Sequence, residues 1–483
     1  MLPEVDIQAT DIDRKLLRRQ IWNLSWPAIL RMVFMNMASL VALGLVGTLG
    51  PEAIAAVGLG QRVIFIVIGV TMALTIGTTA LVAHYTGAKN MEAARRVVSQ
   101  SLIVGVFVAG VLAILGDLYG ERTIGWLMYG NPDLKVIAMG GQYLRIIIIS
   151  LLLGLPMMLI NAAQQGVGDM KTPMYMVIGM NIITLVMGYL LIMGPGPFPA
   201  LGVTGAALGE GIARSVGGIT ALWLAFSGRF FTLSIRPRDL LHFDSSIIKR
   251  VLFIGLPAAG EMFVREGSQI VYTVLIATLG APVIAANQIA MAVQSISFMP
   301  GFGFGLAATT LVGQSLGARK PALAERYGYQ TNWFAGIFMG LLGVIFFFFA
   351  DGLAGLFTQD ASVSELAAIC IRILAFAQVP FSITMVLSGA LRGAGDTRYV
   401  MYITAAGEWG VRLVVAYILG FRLGRGLPGV WLAFFINSLA LAGMVLWRYR
   451  SGQWKYVLKL SPQGPNQDQG QRALSSELPQ ETS

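Results

Sequence analysis

The sequence predicts an all-α polytopic membrane protein, with twelve transmembrane helices in two six-helix bundles related by a pseudo-twofold axis and a central cleft between them. Three observations predict it. The 483-residue chain is 56% hydrophobic and 12% charged, with a mean hydropathy of +0.71, a balance that a soluble domain of this length cannot present to water. Apolar windows near the roughly 20 residues needed to cross a bilayer recur along the whole chain. The chain also repeats itself: GTLGPEAIAAVGL at 47–59 returns as ATLGAPVIAANQI at 277–289.

Taken in order, the first six windows fall near 21–48, 53–83, 97–118, 136–164, 173–193 and 201–226, and the second six near 248–278, 282–313, 329–349, 366–391, 399–421 and 427–447. An even number per copy brings both copies in from the same side of the membrane, which sets the pseudo-twofold axis along the membrane normal. The expected organisation is a cytoplasmic N-terminal segment 1–20, a first lobe 21–226, a cytoplasmic linker 227–247, a second lobe 248–450 and a cytoplasmic, disordered tail 451–483. Further blocks keep the register. SWPAILRM at 25–32 lies over GLPAAGEM at 255–262, so Pro27 matches Pro257 and Arg31 matches Glu261. TTALVAHYTGAK at 78–89 lies over ATTLVGQSLGAR at 308–319, and QGVGDMK at 165–171 over RGAGDTR at 392–398. Gly50, Gly87, Gly168, Gly280, Gly317 and Gly395 stand where a helix ends and the chain reverses, places expected to need positive φ. Asp169 and Asp396 follow such glycines and read as helix caps, with a salt bridge to a nearby Arg or Lys as the alternative.

Lys and Arg crowd the loops on the side of the N-terminus in a roughly fivefold excess, placing both termini in the cytoplasm. The formal charge of +10 is then a property of that face, scattered over short loops, and nucleic acid is not an expected partner. Residues before Arg14 are polar and acidic, so a cleaved secretory signal is not expected. Cys370 is the only cysteine, and His84 and His242 both fall in predicted loops. No metal or cofactor is expected in the bundle, and no helix combines the groups an intramembrane enzyme requires.

The blocks G-x-L-G-x-x-x-I-A-A after the first helix, G-A-K/R after the second, Q/R-G-x-G-D after the fourth and G-x-x-G-A-A opening the sixth resemble the multidrug and toxic compound extrusion family, over about 21–447. That resemblance implies twelve-helix antiporters that export organic cations and other amphipathic compounds in exchange for protons or sodium, through a cleft lined by the first and seventh helices. It also implies a first-lobe site made of an acid on the first helix and Asn-x-x-x-Asp on the fifth. This chain departs from that pattern. Ala42 stands where the first acid is expected, and the fifth helix offers Asn181 and Thr184 with no acid.

Ionisable groups at membrane depth cost on the order of 3 kcal/mol each on insertion scales, so those present need partners or roles. Glu210 with Arg214, Glu261 with Arg265 and Glu408 with Arg412 are each spaced four apart with Glu first, the favoured order on one helical face. Each pair either neutralises itself or serves transport. Arg31 and Glu261, matched by the repeat, are expected to approach the cleft from opposite lobes. Glu266 lies about 100° round the helix from Arg265 and lacks an obvious partner, so it is a candidate proton carrier. If coupling exists, it rests on Glu261, Glu266 and Glu408, with Arg31, Arg265 and Arg412 as charge partners. Asn36, Asn181, Gln269, Tyr272, Asn287 and Gln288 are the expected cavity-lining residues. Met32, Met35, Met37 and Phe263 add flexible apolar surface that either meets substrate or packs on lipid.

The leading expectation is therefore a monomeric plasma-membrane antiporter whose partners are the bilayer and an amphipathic small molecule, coupled to protons or sodium. A flippase for lipid-linked substrates, of the same superfamily, is the second reading, with Arg31, Arg62, Arg265 and Arg412 as its cationic groups.

Overall fold

The computed structural model describes residues 14–128, 133–228, 233–240 and 243–458. The first lobe holds α1 (Arg14–Gly47), α2 (Pro51–Gly87), α3 (Met91–Leu127), α4 (Leu134–Val167), α5 (Lys171–Met193) and α6 (Gly202–Ser227). The second holds α7 (Ser245–Ala277), α8 (Ala281–Gly317), α9 (Pro321–Phe348), a short helix Ala350–Gly355 and α10 (Ala361–Gly393). It closes with α11 (Thr397–Arg422) and α12 (Gly426–Arg450). The twelve long helices and their division into two sixes agree with the repeat. Ten of them are long and apolar enough to cross a membrane. The chain is an integral multi-pass membrane protein, and side chains such as Leu40, Phe107 and Phe348 stand outward from the bundle.

Local signals start the helices. Asn90, Asp133, Asp244 and Asp360 each accept backbone N–H bonds at the first turn of α3, α4, α7 and α10, which satisfies donors that a helix leaves open. Proline opens α2 and α9 and stands at the second position of α8, where its missing N–H is not needed. Pro27 and Pro257 sit inside α1 and α7 at matching places.

Four hydrophobic cores hold the molecule together, and their membership gives its shape. One core joins Val46, Ala53, Val57, Ile147 and Ala207 within the first lobe. Another joins Tyr272, Ile276, Ala286, Ile371 and Trp431 within the second. The remaining two cross between lobes. Ile247, Val251 and Ile254 of α7 pack into a core of α2, α3 and α4 residues, while Leu17 and Ile21 of α1 pack with Phe304, Ala308 and Leu311 of α8. These crossing residues belong to the early turns of α1, α3 and α7 and the late turns of α2, α4 and α8. The lobes are thus fused at one end, and the cores toward the other end stay within single lobes.

Polar contacts finish that seal, and they come in matched pairs. His84 Nε2 of α2 donates to the Gly393 carbonyl at the end of α10 (3.0 Å). Gln314 of α8, its repeat equivalent, donates to the Gly166 carbonyl at the end of α4 (2.8 Å). Thr310 adds a bond to the Gln165 carbonyl (2.8 Å). Gly87 and Gly317 make this approach possible, since a Cβ at either would meet the backbone carbonyl of Gln314 or His84. Neither glycine has positive φ. That conformation falls instead on Lys89 and Arg319, two residues later (57° and 58°), whereas Gly50, Gly168, Gly280 and Gly395 do adopt it.

Several expectations change here. His84 lies inside α2 and is buried, because the helix runs on past the apolar window to Gly87; His242 lies outside the described residues. α7 begins at Ser245, within the expected linker, and Leu233 and Ile235 of that linker are buried on the first lobe. The segment after α12 also docks: Trp454 is buried against Tyr449, ring centroids 4.6 Å apart, and Leu458 packs at Gly395. The remainder of the expected tail and the start of the N-terminal segment lie outside the described residues.

Candidate functional site

α7 and α11 carry most of the ionisable residues singled out from the sequence. Glu261, 5% exposed, accepts from Arg392 of α10 at 2.7 and 2.9 Å, from Arg265 at 3.1 Å and from Thr404 at 3.4 Å. The i,i+4 pair with Arg265 is present, but it does not neutralise the carboxylate by itself. Arg392 reaches it through both Nε and Nη, the two-pronged geometry that an arginine makes with a carboxylate. Arg265 remains a third exposed at its side chain.

α11 is not a regular helix at the second pair. Ala406–Arg412 and Ile418–Arg422 are wound as π-helix, a widened turn that recurs at functional sites because it re-aims side chains. Within the first of these, Arg412 donates to Glu408 at 2.9 Å, and both are buried. The Arg412 guanidinium also lies over the Tyr272 ring at 4.1 Å and near Phe434 at 5.5 Å. α7 and α11 are laced directly: Trp409 Nε1 donates to the Val264 carbonyl (2.9 Å), and Ser268 donates to the Glu408 carbonyl (3.3 Å). Glu266 is half-buried on the same stretch of α7 and has no ion-pair or hydrogen-bond partner among the described residues.

The amides divide. Asn287 and Tyr272, expected at the cleft, are instead enclosed in the second lobe, Asn287 accepting from Trp431 Nε1 at 3.1 Å. Gln288, one residue or 100° farther round α8, is exposed. Gln269 is half-buried and contacts Met291 sulfur at 3.9 Å. In the first lobe α1 and α5 run in parallel: Lys171 stands over the Trp26 ring (6.0 Å) at one end and Thr48 meets Met193 (3.9 Å) at the other. That alignment sets Asn36 and Asn181 at the same level; both are half-buried, and Asn181 Nδ2 has no partner. Arg31 is 8% exposed on α1. It does not pair with Glu261, which is held inside its own lobe. The third pair, Glu210 and Arg214, is bonded at 2.5 Å and shares Glu210 with the Tyr143 hydroxyl.

Reading the sequence missed Arg392, Thr404, Ser268 and Trp431. A signal for Arg392 was present. Between the copies Arg31 becomes Glu261 while Gln165 becomes Arg392, so a new acid and a new cation arise together. Among the described residues no group of His, Cys, Asp and Glu could hold a metal ion.

Two helical lobes fused at one end, with paired charges buried inside a membrane-spanning bundle, are the architecture to set against known membrane transporters. The MatE family model matches residues 27–190 and 257–418, once in each lobe. The chain belongs to this family of multidrug and toxic compound extrusion transporters. It is similar to a probable multidrug resistance protein NorM of Thermotoga maritima, 28% identical over 442 residues that cover 91% of this chain and 93% of that one. The uncharacterized transporter YisQ of Bacillus subtilis is 26% identical, over 90% and 94% of the two chains. Among solved structures, an outward-facing multidrug resistance MATE family transporter of the MOP superfamily superposes with a TM-score of 0.83, at 22% identity and over 90% of this chain and 97% of that one. A MATE transporter of Vibrio cholerae superposes at 0.84, with 19% identity, covering 92% and 99%. At these identities the structural likeness shows the shared fold.

Proposed function

We propose that this protein is a secondary-active antiporter that exports amphipathic or cationic organic compounds in exchange for protons or sodium, by alternating access. The observation that carries the reading is the asymmetry of the lobe contacts: cores and polar bonds cross between lobes at one end only. Such a joint can be remade at the opposite end by rocking one lobe on the other. The excess of Lys and Arg lies at the sealed end, so in this reading that end is cytoplasmic, both termini are inside, and the site faces outward across the plasma membrane. The multidrug names of its relatives support a broad substrate range.

Coupling belongs in the second lobe. Glu266 is the carboxylate free to take a proton or sodium, beside Glu261 and Glu408, which are bound to arginines of the same lobe. The protein acts as a monomer and needs no cofactor beyond the coupling ion. The flippase reading has less support, since of its four cationic groups Arg265 and Arg412 are each bound to a glutamate, which leaves it the buried Arg31 and the exposed Arg62.

Transport of a cationic dye into proteoliposomes, under separate proton and sodium gradients, tests this. Glu266→Gln and Glu408→Gln are expected to lower gradient-driven transport by about tenfold or more. If Glu261→Gln, Glu266→Gln and Glu408→Gln all transport like the unaltered protein, the second-lobe coupling is wrong.

A further inference from the structure

Three arginines are buried among the described residues: Arg31, Arg412 and Arg448. Arg412 is bound to Glu408 and Arg448 to Asp396. Arg31 alone has no carboxylate among the described residues, and its Nε is buried without a hydrogen-bond partner. A guanidinium keeps its charge in a protein, so its burial cannot be relieved by giving up a proton. A buried ion without a counter-charge is among the least favourable arrangements a fold can hold.

The pseudo-twofold shows what is missing. In the second lobe the equivalent position is Glu261, and Arg392 supplies the opposite charge. In the first lobe Arg31 stands in place of the acid, and the position matching Arg392 is Gln165, which is neutral. The cation is present and its anion is not. Elsewhere in the first lobe, on α5, the Asn181 Nδ2 donor is also unbonded.

We propose that Arg31 is the anion-reading group of the transport site, taking the carboxylate, sulfonate or phosphate of an amphipathic compound. The inference rests on the transporter reading above and adds to its substrates amphiphiles that carry an acidic group, alone or beside a cation. α8, against which α1 packs, carries Phe298 and Phe302 with ring centroids 6.0 Å apart, and Phe381 lies 6.4 Å from Phe298. Met32 and Met35 flank Arg31 on α1. Thioethers close to Arg31 along α1, and aromatic rings on the helix that packs against α1, suit a molecule with one acidic group on an apolar body. A compound that is only cationic leaves Arg31 uncompensated.

Matched probes test this with the full chain in nanodiscs and in proteoliposomes: dansylglycine, its methyl ester and the amine dansylcadaverine. The unaltered protein is expected to bind dansylglycine at least about tenfold more tightly than the ester, with Arg31→Gln erasing that preference and Arg31→Lys keeping most of it. The comparison of acid with ester needs no variant, so it stands even where Arg31→Gln does not fold. Equal binding of acid and ester by the unaltered protein overturns the proposal. So does competition by chloride or phosphate alone without any dansylglycine binding, which would make Arg31 a site for a free anion. Arg31-dependent binding with no gradient-driven transport of any probe would support the proposal and sink the antiport reading. Gradient-driven dansylcadaverine transport with no Arg31-dependent binding of dansylglycine would do the reverse.

Discussion

Asp169 and Asp396 occupy the same place in the two G-x-G-D blocks, yet their carboxylates have different partners. Asp169 accepts from the backbone N–H groups of Lys171 and Thr172, both at 3.0 Å, and is an ordinary helix cap. Asp396 makes no capping bond; it receives Arg448 Nε at 2.8 Å, with both side chains buried. Removing a cap costs about 1 kcal/mol, whereas removing one partner of a buried ion pair costs about 3–5 kcal/mol because the other is stranded. Thermal unfolding of the purified protein is therefore expected to show Asp396→Asn as the more destabilised variant, and Asp169→Asn as only slightly affected. Equal losses would mean that Arg448 finds another partner.

α11 shows what an element adds to its residues. The π-helical turn at Ala406–Arg412 carries Glu408 and Arg412 toward α7, where Arg412 covers Tyr272 and Ser268 meets Glu408. Deleting Gly410 would return this stretch to α-helical spacing and rotate one side of the cluster by about 100° against the other. Nothing stands within 4 Å of a Cβ built at Gly410, so Gly410→Ala is the control for local sterics. The deletion is expected to fold but to lose transport by about tenfold or more, while Gly410→Ala stays near the unaltered rate. A deletion variant that transports normally would remove the π turn from the mechanism.

Across the whole molecule, the sealed end holds because matched pairs act together: His84 with Gly393, Gln314 with Gly166, and the close approaches at Gly87 and Gly317. A Cβ at Gly313 would lie 2.8 Å from that of Ala83 in the other lobe, within about 1 Å of disulfide spacing. In a Cys370→Ser background, Ala83→Cys with Gly313→Cys is expected to form a disulfide that stops transport and is reversed by reductant. Transport that continues with the bond fully formed would rule out opening at this end. A methyl group at Gly87 or Gly317 should act oppositely, since overpacking costs about 1–3 kcal/mol and here falls on the closed state. Raised labelling of a cysteine at Ala83 in the Gly87→Ala protein would report that opening.

The sequence alone determined the class of molecule, the twelve helices, the two lobes and the family. Each of these depends on composition, spacing and repetition, which exist before any side chain finds its partner. It also located the acids of α7 and α11 and the loss of the first-lobe acid at Ala42. Only the tertiary structure decided which charges are satisfied. Helical spacing announces a partner four residues away, as for Arg265 and Arg412, but carries no sign of Arg392 arriving from α10 or Arg448 reaching Asp396. Likewise, Gly87 and Gly317 read as turn residues in the chain, and the reason they are glycine appears only where another lobe's carbonyl lies against them. Arg31 stands out for the same reason: its charge is visible in the sequence, and its isolation appears only once every neighbouring helix is in place.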